Sequence, residues 1–205
     1  MLLLVTGLSC SGKSSVSKYL ENKYPNQVTT ISMDWFYKDL EEYTEDYNFD
    51  RPDAFDWERL ESVVEWLVSG TTDVVMETRY NYATHRQEQY DPYLLSPKPI
   101  IVVEGILPMH SKKLLSMCNA LIYVHAPIRE CFERRKIRDV EKRGKRMLEI
   151  LYSWESHVVP SFKKYIEPFK NHEKTIVINN FDEKSFLSSE NLKTLENKIC
   201  NLKRG

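Results

Sequence analysis

Gly7-Leu8-Ser9-Cys10-Ser11-Gly12-Lys13-Ser14 lies directly after the apolar run Leu2-Leu3-Leu4-Val5-Thr6 and directly before a helix-length segment ending at Pro25-Asn26. Strand, glycine turn and helix in that order, with Lys and Ser after the second glycine, form a phosphate-binding loop. Glycines let the backbone curl so that successive N–H groups face phosphate oxygens, and the helix N-terminus adds its positive end. Only six glycines occur in 205 residues, so two at these offsets by accident would be rare. The loop predicts nucleotide contacts from Gly7, Ser9, Cys10, Ser11, Gly12, Lys13, Ser14 and Ser15. Lys13 would reach the β/γ-phosphates and Ser14 the Mg²⁺. Cys10, inside the loop, reads as a small filler.

Outward from the loop, Val28 to Ser32, Ile100 to Val103, Leu121 to His125 and Thr175 to Ile178 are further short apolar runs separated by helix-length segments. That alternation predicts an α/β fold with a doubly wound parallel sheet of P-loop type, in one domain over residues 1–205. The first helix should run from about Lys13 to Tyr24. A second should start after the N-cap Asp56, bury Leu60, Val63, Val64 and Leu67, and stop at Gly70. Residues 73–93 are aromatic, polar and β-prone and predict a small hairpin insertion at the substrate site. Residues 128–166 predict a helical lid: a basic helix from Ile128 to Arg143 ended by Gly144, then a helix from near Lys145 that bends or stops at Pro160. Leu192, Leu195, Ile199 and Leu202 predict an amphipathic final helix capped by Ser188 or Ser189.

With a net charge of -1, 41% hydrophobic and 29% charged residues, the chain lacks the Lys/Arg surplus of a nucleic-acid coat. Cys10, Cys118, Cys131 and Cys200 are widely separated and signal neither a disulfide framework nor a zinc site, which suits a reducing cytoplasm. The apolar start has no basic flank and is too short to span a bilayer, so it reads as a strand and no membrane role is expected.

The acceptor needs its own argument, because switches and motors also carry such loops. No Asn-Lys-x-Asp segment for guanine is present, which disfavours a GTPase. Asp34 follows the second strand, and carboxyl ends of strands meet at the ligand crevice of an open sheet, so Asp34 is a candidate base and metal-side carboxylate. It also suits a helix N-cap, and that reading stays open. Glu104 ends the Ile100-to-Val103 strand where many such proteins keep an acidic metal partner. Arg134, Arg135, Arg138 and Arg143 recur at helical spacing and can clamp phosphate in transit, Arg138 in a catalytic role; a solvated basic face is the alternative.

Asn48-Phe49-Asp50-Arg51-Pro52-Asp53-Ala54-Phe55-Asp56, Tyr80-Asn81-Tyr82-Ala83-Thr84-His85, Glu104-Gly105-Ile106-Leu107 and Arg135-Lys136-Ile137-Arg138-Asp139 followed by Arg143-Gly144 resemble the uridine-cytidine kinase family of P-loop nucleoside kinases. The resemblance runs from Leu2 to about Asn179. It implies a kinase moving a phosphoryl group from ATP or GTP, with Mg²⁺, to the 5′-hydroxyl of uridine or cytidine. It implies Asp34 as general base and Ser14 with Glu104 at the metal. Asp50 and Arg135 would hold the ribose hydroxyls, Tyr80 and His85 the pyrimidine edge, and Tyr82 the ring face, with Arg138 and Arg143 on phosphates. Members often form tetramers, which implies a homo-oligomer. The chain departs from the pattern at Lys145, where the family usually has Arg, and at Ser153, where it typically has Gln. Other acceptors such as nicotinamide riboside, or a non-catalytic nucleotide sensor, are the alternatives.

Overall fold

The computed structural model describes residues 1–40, 44, 46–70, 72–180 and 189–204. Five parallel strands form one sheet in the order β2-β5-β1-β6-β7. They are β1 (Leu2–Thr6), β2 (Val28–Ser32), β5 (Ile100–Glu104), β6 (Ala120–His125) and β7 (Thr175–Asn179). β1 lies between β5 and β6, pairing Leu4 with Val103 on one side and with Leu121 on the other. The connections run first to one side of β1 and later to the other, which opens a crevice at the carboxyl ends of the central strands.

Both faces of the sheet are covered, so the strands are apolar throughout. Alternation sends Leu3, Val5, Val102 and Ile122 to one face, packed under Val16 and Leu20 of α1 (Lys13–Lys23) and Leu195 and Ile199 of the final helix. That final helix, Ser189–Arg204, is numbered α7 below. Leu2, Leu4, Ile101, Val103, Leu121 and Tyr123 face the other way, onto Leu60, Val64 and Leu67 of α2 (Trp57–Ser69) and Leu114 of α3 (Lys112–Met117). The helix expected over residues 13–24 and that expected after Asp56 both form, the latter with the Asp56 carboxylate accepting from Arg59 N and Gly70 closing it at φ 71°. Of the caps proposed for the final helix, Ser188 lies outside the described residues.

The hairpin comprises β3 (Val74–Asn81) and β4 (Arg86–Leu95), two residues longer than expected at its far end. Pairing shifts between Met76 and Thr78, and the residues of β4 left without partners there include Pro92, which has no N–H to give to a ladder. The basic segment forms α4 (Ile128–Arg143), ended by Gly144 at φ 61°. Beyond it the helical run does not stop at Pro160. α5 (Met147–Ser153) passes into a π-turn over Trp154–Val158, then α6 (Val159–Ser161) and a second π-turn over Phe162–Ile166. The wide turn sends Val159 N–H back to Trp154 O, a five-residue reach that takes Pro160 into a continuous helical run.

Gly105, just past β5, is packed so tightly that a Cβ there would lie 2.4 Å from Met33 Cβ, one residue before Asp34. Gly105→Ala is therefore expected to destabilise the fold by about 1–3 kcal/mol, the usual cost of overpacking, as read from urea denaturation midpoints.

Candidate functional site

The phosphate loop is held open by its own backbone. Gly7, Cys10 and Gly12 adopt φ 148°, 63° and 104°, conformations that cost little for glycine and strain a cysteine. Ser11 N donates to Leu8 O at 3.0 Å, closing the turn, and Asn180, just past β7, donates from Nδ2 to Ser11 O at 2.7 Å. No side chain caps α1, and no acidic residue sits in its first turn, so its N–H groups and dipole are directed at the loop. The buried Lys13 folds back to donate from Nζ to Leu8 O at 3.0 Å, which parks its ammonium over the cradle.

One cavity of about 1070 Å³ extends from this loop. Ser9, Cys10, Gly12, Lys13, Ser14 and Ser15 line it, as do Asp34, Asp50, Tyr82, His85 and Glu104 and the α4-side residues Arg134, Arg135, Arg138, Arg143 and Lys145. Gly7, Ser11 and Tyr80 do not reach the cavity wall. Gly7 makes the turn, where a Cβ would lie 2.4 Å from Val124 O, and Ser11 is fully buried beneath the loop. Tyr80 was expected at the pyrimidine edge; the structure buries it behind the wall instead, against Tyr37 and Tyr82, with its hydroxyl 3.4 Å from His85 Nδ1. From there it can orient the imidazole.

Asp34 sits in the 3₁₀ turn Met33–Phe36 that follows β2. Ser32 holds the cap position of that turn, so capping does not account for Asp34. Burial, with the Asp34 charge next in weight, holds the Tyr82 phenol well above its usual pKa. Glu104 accepts from Ser14 Oγ at 3.2 and 3.3 Å and from Ser32 Oγ at 3.3 Å. Burial, then the neighbouring Asp34, push its carboxyl above the usual range, against the pull of Lys13 and the two hydroxyls. A hydroxyl and a carboxylate side by side are a hard, all-oxygen donor set that fits Mg²⁺ completing its shell with water and phosphate. Asp50 is likewise pushed up by burial and drawn down chiefly by Arg135 and then Lys13.

Asp139, to which the sequence reading gave no role, organises the basic wall. It is fully buried on α4 and takes Arg135 Nε at 3.2 Å, Arg138 Nη2 at 2.8 Å and Arg143 Nε at 3.6 Å. Arg135 also donates to Ser9 Oγ at 3.0 Å, tying α4 to the loop. The spacing of 135, 139 and 143 carried the signal, since residues four apart share a helical face. Tyr37, Gln87 and Asn180 were also missed. Tyr37, largely buried in the cavity wall, stacks on Phe55 at 4.3 Å, while Gln87 Nε2 donates to Trp35 O and Tyr37 O, each at 2.8 Å, and so braces the segment carrying Asp34.

Among the described residues no cluster of three or more His, Cys, Asp or Glu is placed to hold a metal ion, and no helix is long and apolar enough to cross a membrane. The family model described as Phosphoribulokinase / Uridine kinase matches residues 2–185. A uridine kinase of Aliivibrio salmonicida is 31% identical over 182 residues, covering 84% of this chain and 83% of that protein. Uridine-cytidine kinase B of Dictyostelium discoideum is 34% identical over 181 residues, covering 84% and 72%. Among solved structures, one of a possible uridine kinase from Bacillus stearothermophilus superposes with a TM-score of 0.55 at 18% identity, covering 89% of this chain and 88% of that one, a likeness of fold.

Two variants probe this charge balance. Asp139→Asn leaves three arginines around a neutral amide and is expected to cost about 3 kcal/mol of stability, the scale for breaking a buried ion pair, in urea melts. Glu104→Gln should raise the melting temperature of the nucleotide-free protein at pH 7, because burial and Asp34 disfavour its ionised form. The folded pKa is raised, so the penalty is present above it and disappears as pH falls; the gain should therefore vanish in acid.

Proposed function

Since the chain belongs to the phosphoribulokinase and uridine kinase family, we propose that it is a nucleoside kinase that transfers the γ-phosphoryl group of ATP to the 5′-hydroxyl of uridine or cytidine. The observation that carries this reading is a single cavity holding a phosphate loop, the carboxylate of Asp34 and an acceptor wall that includes Asp50, Tyr82 and His85. A nucleotide sensor has no need of a base or of an acceptor compartment beside its phosphates.

In this reading the loop N–H groups, Ser15 and Lys13 bind the triphosphate. Mg²⁺, held by Ser14 and Glu104, would neutralise charge on the phosphate oxygens. Asp50 and Arg135 fix the ribose, Asp50 as acceptor and Arg135 as donor, so that the 5′-hydroxyl comes to Asp34 in line with the γ-phosphorus. Asp34 takes the hydroxyl proton as the oxygen attacks, and Arg138 with Arg143 stabilises the equatorial oxygens of the loose transition state. His85 stays neutral near pH 7, because burial first and the Lys145 charge second lower its pKa, so it can hydrogen-bond the base without adding charge. The helical segment 128–166 closes over this chemistry as a lid that keeps water from the γ-phosphate.

Phosphate transfer from Mg²⁺-ATP should be measured with uridine, cytidine, adenosine, guanosine, thymidine and nicotinamide riboside, for the wild type and Asp34→Asn. Uridine or cytidine is expected to be labelled, with kcat reduced about 10²–10⁴-fold in the mutant, the usual contribution of a positioned base. Labelling of another alcohol alone would replace the pyrimidine acceptor, and ATP binding without any transfer would favour a sensor.

A further inference from the structure

His85 presents a nearly fixed imidazole to the cavity. Its backbone is held at φ 56° by His85 N donating to Asn81 O at 2.8 Å and Leu40 N donating to His85 O at 3.2 Å. Its ring stacks on Phe49 with centroids 5.3 Å apart and 21° between planes. The Tyr80 hydroxyl lies 3.4 Å from Nδ1, and in the tautomer in which it donates there the ring hydrogen is on Nε2. Lys145 lines the same cavity, close enough for its charge to act on His85. Its backbone is fixed at the end of α4, where Lys145 N donates to Asp139 O at 3.0 Å. Half buried, its ammonium makes no hydrogen bond or close ion pair with a carboxylate or carbonyl among the described residues, although the charges of Asp139 and Glu149 act on it from further off. Burial disfavours its charge most, Asp139 offsets part of that, and Arg135 and Arg143 work against it, so a carbonyl or anionic partner from the ligand would add to the pull of Asp139.

We propose that Lys145 is a specificity residue that selects acceptor bases presenting carbonyl oxygens, so that uridine is phosphorylated in preference to cytidine; this rests on the nucleoside-kinase reading above. An ammonium has three donors and no acceptor. With His85 Nε2–H it makes the reading edge donor-rich, matched to the two carbonyls of uracil. Cytosine offers one carbonyl, and its amine would meet N–H groups that it cannot satisfy. Ser153 adds to the discrimination. Its hydroxyl is spent as donor to Ile150 O at 3.1 Å, so towards the cavity it offers lone pairs. Those lone pairs can accept from the N3–H of uracil, whereas N3 of cytosine carries no hydrogen. A site built of buried polar groups rejects the mismatched partner because those groups are left unpaired.

The test compares kcat/KM for uridine and cytidine at saturating Mg²⁺-ATP in the wild type, Lys145→Gln and Lys145→Met. Binding of each nucleoside is followed by calorimetry with a non-hydrolysable ATP analogue present. The wild type is expected to favour uridine by about tenfold or more, and Lys145→Gln, whose amide donates and accepts, to bring the ratio within about threefold. The change should appear in KM and in calorimetric affinity more than in kcat, which a merely structural role for Lys145 would not produce. Equal kcat/KM for the two nucleosides in the wild type, or a uridine preference that survives both substitutions, would overturn the proposal. A wild type that binds ATP but neither binds nor phosphorylates either nucleoside removes the nucleoside-kinase reading itself, and that failure is distinct from equal use of both.

Discussion

Gathering three carboxylates at one cavity beside a site for polyphosphate is the constraint on which the rest of this structure turns. Asp34, Asp50 and Glu104 line one cavity, and Glu104 and Asp50 both have pKa values raised by burial and, to a smaller degree, by Asp34. Such a set is tolerable only with cations drawn in beside it. Lys13 and Arg135 pull the carboxylates back towards ionisation, and a whole helix, α4, carries the further positive charge that phosphates require. The charges are interdependent: the cations that make Asp50 and Glu104 usable as anions are the ones that also face the nucleotide.

A row of arginines cannot be packed against such a site without its own counter-charge, and Asp139 supplies it from inside the helix. Placing one buried carboxylate at the centre of three guanidinium groups fixes their directions before any ligand arrives. The bond from Arg135 to Ser9 then makes the basic helix part of the phosphate cradle. Preorganisation of this kind matters because catalysis of phosphoryl transfer is mostly positioning and electrostatics.

The parts of this arrangement legible in the sequence are those that depend on neighbours in the chain. The loop from Gly7 to Ser14, the five strands to within a residue at each end, the caps Asp56 and Gly70 and the stop at Gly144 all follow from local conformational rules. Gly144 and Gly70, both at positive φ with open space around them, act through the backbone alone. Asn180 was not legible, because its partner Ser11 lies 169 residues away and only the sheet, with β6 between β1 and β7, brings them together. Tyr80, in β3, and Tyr82, in the turn just past it, show the same limit at close range. Both read as aromatic residues of a hairpin, and only tertiary packing decides that Tyr82 lines the cavity while Tyr80 is buried behind it. The passage through Pro160 was missed because a proline rule written for α-helices does not apply where π-turns lengthen the reach of the backbone bonds.

The three arginines around Asp139 are not held equally, and the difference divides their labour. Arg138 meets Asp139 twice at 2.8 Å, Arg135 once at 3.2 Å with Ser9 as second partner, and Arg143 only at 3.6 Å. Arg143 instead lies over the Tyr82 ring, 4.0 Å from its centroid. A cation–π contact of this kind is worth about 0.5–2 kcal/mol, whereas a hydrogen bond to a charged phosphate oxygen is worth about 1.5–3 kcal/mol. Arg143 is the arginine least tied to Asp139, held instead against an aromatic ring of the cavity wall. One side chain thus joins the basic wall organised by Asp139 to the Tyr82 face of the same cavity.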